Sequence, residues 1–303
     1  MENKFNIEVS KIKIDKLSTF IDVVEEYKDL YPNEIFINNP TDRRFIYRGC
    51  SKASYELLPS IFRKQQDGNV VNSKYLSLTS EKGLLEEFIG YASSILDIPP
   101  TKYVRWAEYA QHFGVPTRFL DWTNNPLVAL YFACSNESNN DCDGCVWLFH
   151  IVNYRRSLVN YEEKINKKES IEESINNLIN DVKDDVYKMP IVYQPYYVDN
   201  RMKAQDSVFM AWGSNDNSLE NMLMNCKHLK KVYTTDHSCT VSEIVGNGIL
   251  FKIEIPKENK LKLLRELDTV AINEMSLFPG LDGIGKYIEK KHALNLDETL
   301  KIF

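Results

Sequence analysis

The 303-residue chain is 43% apolar and 26% charged with a formal charge of −6, and its pI is near 5.5. That balance suits one large folded domain and argues against a protein whose whole surface grips nucleic-acid phosphates. The first thirty residues mix Lys, Asp and Glu with apolar positions, so neither a secretory leader nor a membrane anchor is read there and a cytoplasmic protein is expected. The six Cys (50, 134, 142, 145, 226 and 239) are accordingly read as reduced thiols.

Along the chain, Phe5 to Ile14 alternates with period two and predicts a strand, and Leu17 to Leu30 shifts to helical spacing. Phe45-Ile46-Tyr47 is a short apolar strand ending in Arg48-Gly49, where the glycine signals a bulge or close backbone approach. Leu84 to Ile95 predicts an amphipathic helix, with Thr79 and Ser80 as candidate caps. After Pro99-Pro100, Thr101 is the expected cap of a second helix through Phe113, stopped by Gly114 and Pro116, so that Gln111 and His112 occupy its last turn. A short strand follows Thr117 and runs through Leu120. Asn125 then caps a helix with Pro126 at its first position, placing Asp121, Trp122 and Thr123 at a strand-to-helix junction. Val146 to Val152 predicts a buried strand reached through an Asp-Gly turn.

Residues 161–188 turn polar and acidic, with Ser170 and Glu173 in a capping-box pattern, and predict a surface helical insertion. Residues 214–247 form a second polar excursion. The strand Ile249 to Ile255 and two helices, about 258–268 and 280–292, complete the domain. The expected organisation is one domain over 1–303. An N-terminal strand and helix occupy 1–40, the core 41–160, the insertion 161–188, resumed core 189–213, the excursion 214–247, and a C-terminal strand and helices 248–303.

Two segments carry chemistry. Arg48 at a strand end offers a bidentate cation beside exposed backbone, suited to a phosphate, carboxylate or carboxamide; alternatively it pairs a carboxylate to hold the fold. Gln111, His112, Thr117, Arg118, Asp121, Trp122 and Thr123 lie within thirteen residues, the mixture expected of an apolar pocket with a few directed polar groups. The structural alternative has Asp121 capping the next helix or pairing with Arg118, and His112 bonding at a helix C-terminus.

These stretches resemble the FRG domain, named for an aromatic-Arg-Gly motif. The resemblance rests on Phe45 to Gly49 with Leu57 to Arg63, on Ala110 to Thr123 with Asn125 to Ala133, and on Arg201 to Phe209. Leu277-Phe-Pro-Gly-Leu-Asp-Gly-Ile284 agrees as well. The motif order is in turn similar to ADP-ribosyltransferases, which implies an α+β fold with a split antiparallel sheet flanked by helices and carrying helical insertions. It also implies NAD as substrate, transfer of ADP-ribose to a nucleic-acid or protein acceptor, and a toxin-like or phage-defence effector with an antitoxin as a further partner.

On that resemblance Arg48 holds the diphosphate or nicotinamide ribose, Gly49 presents its backbone to the carboxamide, and Tyr47, Trp122 or Phe132 stacks on the ring. His112 and Asp121 orient ribose or take the acceptor's proton; Gln111, Thr117, Arg118 and Thr123 complete the binding set. Gln205 stands where the resembled enzymes carry a Glu. Asp206 or Glu274 then substitutes, or positioning alone suffices, or the fold only binds a nucleotide or protein partner. RNA or nucleotide processing with His112 and Arg118 against phosphate is a third reading.

No metal is expected. Cys226, His228, His237 and Cys239 have an unusual spacing for zinc, and Cys142-Asp-Gly-Cys145 reads as a turn more than a redox motif. The basic run Lys227 to Lys231 and Lys286, Lys290 and Lys291 read as solvated faces unless they flank the pocket. No phosphate loop, dinucleotide glycine fingerprint or Gly-x-Ser-x-Gly elbow occurs.

Overall fold

The computed structural model describes residues 13–29, 44–63, 78–99, 101–157, 171–180, 189–197, 199–213, 215–225, 243–245 and 249–300. The expected strand before residue 13, the insertion at 161–170 and 181–188, most of the polar excursion, the Cys226/His228/His237/Cys239 set and the Lys227–Lys231 run lie outside them. In chain order the strands are β1 (Phe45–Cys50), β2 (Phe119–Thr123), β3 (Gly144–His150), β4 (Ile191–Tyr193), β5 (Ser207–Ala211), β6 (Glu243–Val245) and β7 (Leu250–Ile255). They form one sheet in the order β4-β5-β2-β1-β3-β7-β6, with every neighbouring pair antiparallel. Helices flank it, so the fold is a mixed α/β domain on an antiparallel sheet.

The helices are α1 (Leu17–Asp29), α2 (Leu78–Ala92), α3 (Tyr103–His112), α4 (Pro126–Cys134), α5 (Ile151–Ser157), α6 (Ile171–Asn180), α7 (Asn200–Ala204), α8 (Leu219–Asn225), α9 (Lys260–Thr269), α10 (Glu274–Leu277) and α11 (Leu281–Leu300). Among these described residues no helix is long and apolar enough to cross a membrane.

Local chemistry explains most boundaries. Asn125 accepts from the Leu127 amide and Pro126 opens α4, as the sequence predicts. Gly114 sits at φ +85°, and the amides of Gly114 and Val115 return to the carbonyls of Gln111 and Ala110. This left-handed closure stops α3 on time. Several boundaries differ. Thr79 and Ser80 lie inside α2, and α3 starts after Lys102 with no side-chain cap, so Thr101 is not its cap. Asp121 to Thr123 belong to β2 because β5 pairs with them in full. β3 ends at His150, short of Val152, because His150 Nδ1 accepts from the Asn153 amide and starts α5 at once.

Three apolar clusters hold the layers together. On one sheet face, Phe45, Tyr47, Val146, Leu148 and Phe251 pack against α1, α4 and α9. On the other, Ile46, Cys50, Leu120, Trp122, Cys145 and Trp147 pack against the segment around Leu57 to Phe62 and α8. Phe119, Phe209 and Ala211 meet α2, α3 and α6 in the third. A fully buried side chain such as Phe20 or Phe251 contributes about 1.5–3 kcal/mol.

Helix α4 is apolar all round and correspondingly buried. It lies so close to the sheet that a Cβ at Gly49 would fall 1.9 Å from the Ala129 carbonyl oxygen, and one at Gly144 would fall 2.6 Å from that of Ala133. Lys260, 2% exposed, reaches back from α9 and donates to the carbonyls of Ser51 (2.7 Å) and Asn139 (2.9 Å). It thereby fixes the loop after β1.

Candidate functional site

The site begins as an interruption in the sheet. β1 pairs with β3 through all six of its residues and β2 pairs with β5 through all five of its own. Between β1 and β2, however, only Tyr47 and Thr123 are paired. Continuing that register would place Arg48, Gly49 and Cys50 opposite Trp122, Asp121 and Leu120, and none of these pairs forms. The two strands part into a notch with facing unpaired edges, which elsewhere in a sheet would need covering. The Arg48 guanidinium spans it, Nη1 donating to the Asp121 carbonyl.

A cavity of about 1360 Å³ opens at the notch. Of the sequence-predicted residues it brings together Tyr47, Arg48, Gly49, Gln111, His112, Asp121, Trp122, Thr123, Phe132 and Gln205. Strand alternation sets Arg48 on the face of Ile46 and Cys50, and Asp121 on that of Phe119 and Phe209. The cavity therefore reaches both faces of the sheet through the gap.

Asp121 is exposed on a strand whose other residues are buried. Its Oδ1 accepts from Gln111 Nε2 at 2.7 Å. The Thr117 hydroxyl donates to Gln111 Oε1 and accepts from the Phe119 amide at 3.2 Å, so the amide's orientation is set from behind. Next to Gln111, His112 Nε2 lies 3.5 Å from Asp199 Oδ2. Burial pushes this imidazole below its ordinary value against the pull of Asp199, which favours the neutral, proton-accepting ring. Phe132 is half-buried and stands edge-on to Phe278, with centroids 6.2 Å apart. The Arg201 guanidinium lies 4.6 Å over the Phe278 ring.

Two sequence-predicted residues fall outside the cavity. Arg118 is 1% exposed; it binds the buried Glu81 through Nε (2.7 Å), Nη2 (2.6 Å) and its backbone amide (2.8 Å). It is an internal strut, because the residue just before β2 is turned onto the buried Glu81 of α2 and has no route to solvent. Thr117, 2% exposed, acts only through Gln111. Tyr47 and Trp122 touch the cavity, but both rings sit in apolar clusters at 2% and 3% exposure. Phe132 is thus the predicted aromatic with a face to offer.

Gln205 donates from Nε2 to the Leu277 carbonyl at 3.1 Å, and its own carbonyl accepts from the Thr123 hydroxyl at 2.6 Å. It ties the C-terminal segment to the end of β2. Neither suggested substitute lines this cavity. Asp206 holds a turn at φ 44°, bound by Asn124 and Tyr197. Glu274 lines a separate cavity of about 340 Å³, with Tyr131 donating to it and Lys290 2.8 Å away. Among the described residues, Asp121, Glu56 and Asp216 are the carboxylates that line the main cavity.

Arg63 and Arg201 line the cavity but were missed as site residues, although each lies in a stretch that carries the FRG resemblance. Burial lowers the Arg63 pKa, and the neighbouring Arg48 charge lowers it further. Guanidiniums are the donors that carboxylate and phosphate oxygens accept from most strongly. Among the described residues no group of three or more His, Cys, Asp or Glu is placed to hold a metal ion.

Fold and site together define an antiparallel α/β domain with a polar, arginine-bearing cavity at a parting of two central strands. The family model of the FRG domain matches residues 43–142, and the chain carries an FRG domain there. That span includes Tyr47-Arg48-Gly49 and the whole of Gln111 to Thr123. No curated protein matches the chain, and no solved structure matches it.

Proposed function

We propose that the cavity binds NAD and that the protein is a cytoplasmic ADP-ribosyltransferase, acting on a nucleic acid or a protein as a toxin-like or phage-defence effector. The observation that carries this reading is the notch, where Arg48-Gly49 on one strand and Asp121 on the next face a common space after a single pair. Unpaired strand backbone there can bond a carboxamide, Arg48 and Arg63 meet the diphosphate, and Phe132 stacks on a ring. Pockets for small ligands run to about 300–1,000 Å³. The space here, about 1360 Å³, accommodates a dinucleotide together with part of an acceptor.

In the proposed reaction the C1′–N bond breaks, nicotinamide leaves with the electron pair, and the acceptor's nucleophile bonds C1′. Asp121, oriented by Gln111, places negative charge beside the developing ribosyl cation, while neutral His112 takes the acceptor's proton. A second reading, a module that binds a nucleotide or protein without chemistry, is favoured by Gln205, whose amide is spent on Leu277 instead of projecting a carboxylate from the start of β5. Incubating the purified protein with NAD labelled in the adenylate moiety and candidate acceptors separates the two. Nicotinamide release with label transfer supports the enzyme. Saturable NAD binding without turnover supports the module, and no binding at all removes both nucleotide readings.

A further inference from the structure

At the cavity wall stands a thiol, backed by a second one behind it, that the proposed transfer does not use. Cys50 and Cys145 are direct register partners on β1 and β3, so both side chains stand on the same sheet face, and both belong to the same apolar cluster. Directly opposed antiparallel residues have Cα atoms about 4.5–5.5 Å apart, inside the range of roughly 4.4–6.8 Å that a disulfide spans. Cys50 is 7% exposed and lines the cavity, while Cys145 is fully buried behind it. Arg48, two residues earlier on the same face, and Arg63 put two positive charges toward the Cys50 sulfur.

We propose that Cys50 is an oxidant-reactive thiol of the cavity wall and Cys145 its resolving partner, together closing a cross-strand disulfide. The division of labour follows from position: Cys50 is the one that lines the cavity, and Cys145, with no exposure of its own, stands beside it across the ladder. Electrostatics agrees. The Cys145 hydrogen bond, then Arg48 and Arg63, draw the Cys50 thiol down to about 7 against the opposing effects of burial and of the Glu220 charge. By contrast, burial pushes the Cys134 thiol up to about 12 even against the pull of the Lys260 charge. A thiolate flanked by cations is the form that attacks an oxidant. A protonated, buried neighbour is held in reserve as the resolving group; the Cys145 thiol is raised by its bond to Cys50 and by burial.

With a hydroperoxide as oxidant, the Cys50 thiolate attacks one peroxide oxygen, the O–O bond breaks and hydroxide leaves, giving a sulfenic acid. The Cys145 sulfur then attacks Cys50 as its S–H proton is lost; the S–S bond forms, the S–O bond breaks and water departs. Two thiols and one hydrogen peroxide become one disulfide and two waters. The inference is independent of NAD, since it requires only that the cavity admit a small oxidant.

The test uses the full chain, reduced and then treated with an equimolar amount of hydrogen peroxide, quenched with N-ethylmaleimide and mapped by mass spectrometry without reduction. A Cys50–Cys145 linked peptide as the main oxidised species, lighter by two hydrogens, is the expected result. Cys145→Ser should leave a sulfenic acid at Cys50 that a cyclic 1,3-dione traps, and Cys50→Ser should leave Cys145 unoxidised. Recovery of both residues as alkylated thiols while Cys142 is oxidised would overturn the assignment. So would oxidation of Cys50 to a sulfinic acid with Cys145 still free.

Discussion

Alanine at Gly49 gives the sharpest measure of why the aromatic-Arg-Gly triplet ends in glycine. The added carbon would lie 1.9 Å from the Ala129 carbonyl oxygen, 2.7 Å from the Ala133 nitrogen and 2.9 Å from the Ala129 carbonyl carbon. All three are backbone atoms of α4, so no rotamer change relieves the clash. Reaching an ordinary contact of 3.4 Å requires about 1.5 Å of movement by a helix with six of its nine residues buried. Overpacking by one carbon costs about 1–3 kcal/mol, and a backbone collision belongs at or above the top of that range. A loss of about 3 kcal/mol, set against an unfolding entropy of about 0.6 kcal/mol/K for 303 residues, lowers the melting temperature by about 5 °C. Gly83→Ala is the internal control: it lies within α2 with nothing inside 4 Å and should gain about 0.5–1 kcal/mol. Thermal melts followed by circular dichroism read both. A Gly49→Ala protein that melts with the parent yet no longer binds NAD would refute the packing argument and give the glycine to the ligand.

Arg118→Ala leaves the Glu81 carboxylate buried without its partner. It should cost about 3–5 kcal/mol, measured by urea denaturation, while ligand affinity of the folded fraction stays at parent level. Arg48→Ala should weaken NAD binding by about 1.5–3 kcal/mol, roughly ten- to over a hundredfold in Kd by calorimetry. Its melting temperature should change little, because the lost bond lies at an exposed notch; an equal collapse of both would make Arg48 a structural brace. Burial pushes the Glu274 carboxyl up, but bonds from Lys290 and Tyr131 and the charges of Lys290 and Lys286 hold it below its ordinary value. A carboxyl lowered in this way stabilises the fold above its unfolded value of 4.5 and ceases to do so as pH falls through the folded value. The gap in melting temperature between parent and Glu274→Gln should therefore be open at pH 7 and close below about pH 4.5.

Much of the site was legible in the residues because its elements announce themselves locally. Asn125-Pro126 starts a helix and Gly114 ends one by rules that act within a few residues, and these anchors deliver Gln111, His112 and Asp121 to one region. Gly49 was legible as a point of close approach, but not whose backbone approaches; that depends on α4, eighty residues later. Arg118 was misread because composition cannot tell an arginine aimed at solvent from one aimed at Glu81, thirty-seven positions earlier. Arg63 and Arg201 were missed because each lies far in sequence from the dense cluster, and only the parting of β1 from β2 brings them to it. That parting leaves no mark in local periodicity, since both strands are fully paired on their outer sides.

The ladder between β1 and β3 sets how the gene can be cut. The segment matched as an FRG domain stops at residue 142, yet the strand bearing its signature leans along its full length on residues 145–150. The turn just beyond that strand is pinned by an ammonium at residue 260. A fragment trimmed to the matched boundaries would expose a bare, sticky edge beside Arg48 and should precipitate. Any transplant of the motif into another scaffold must bring along more than a hundred residues that the family signature leaves out.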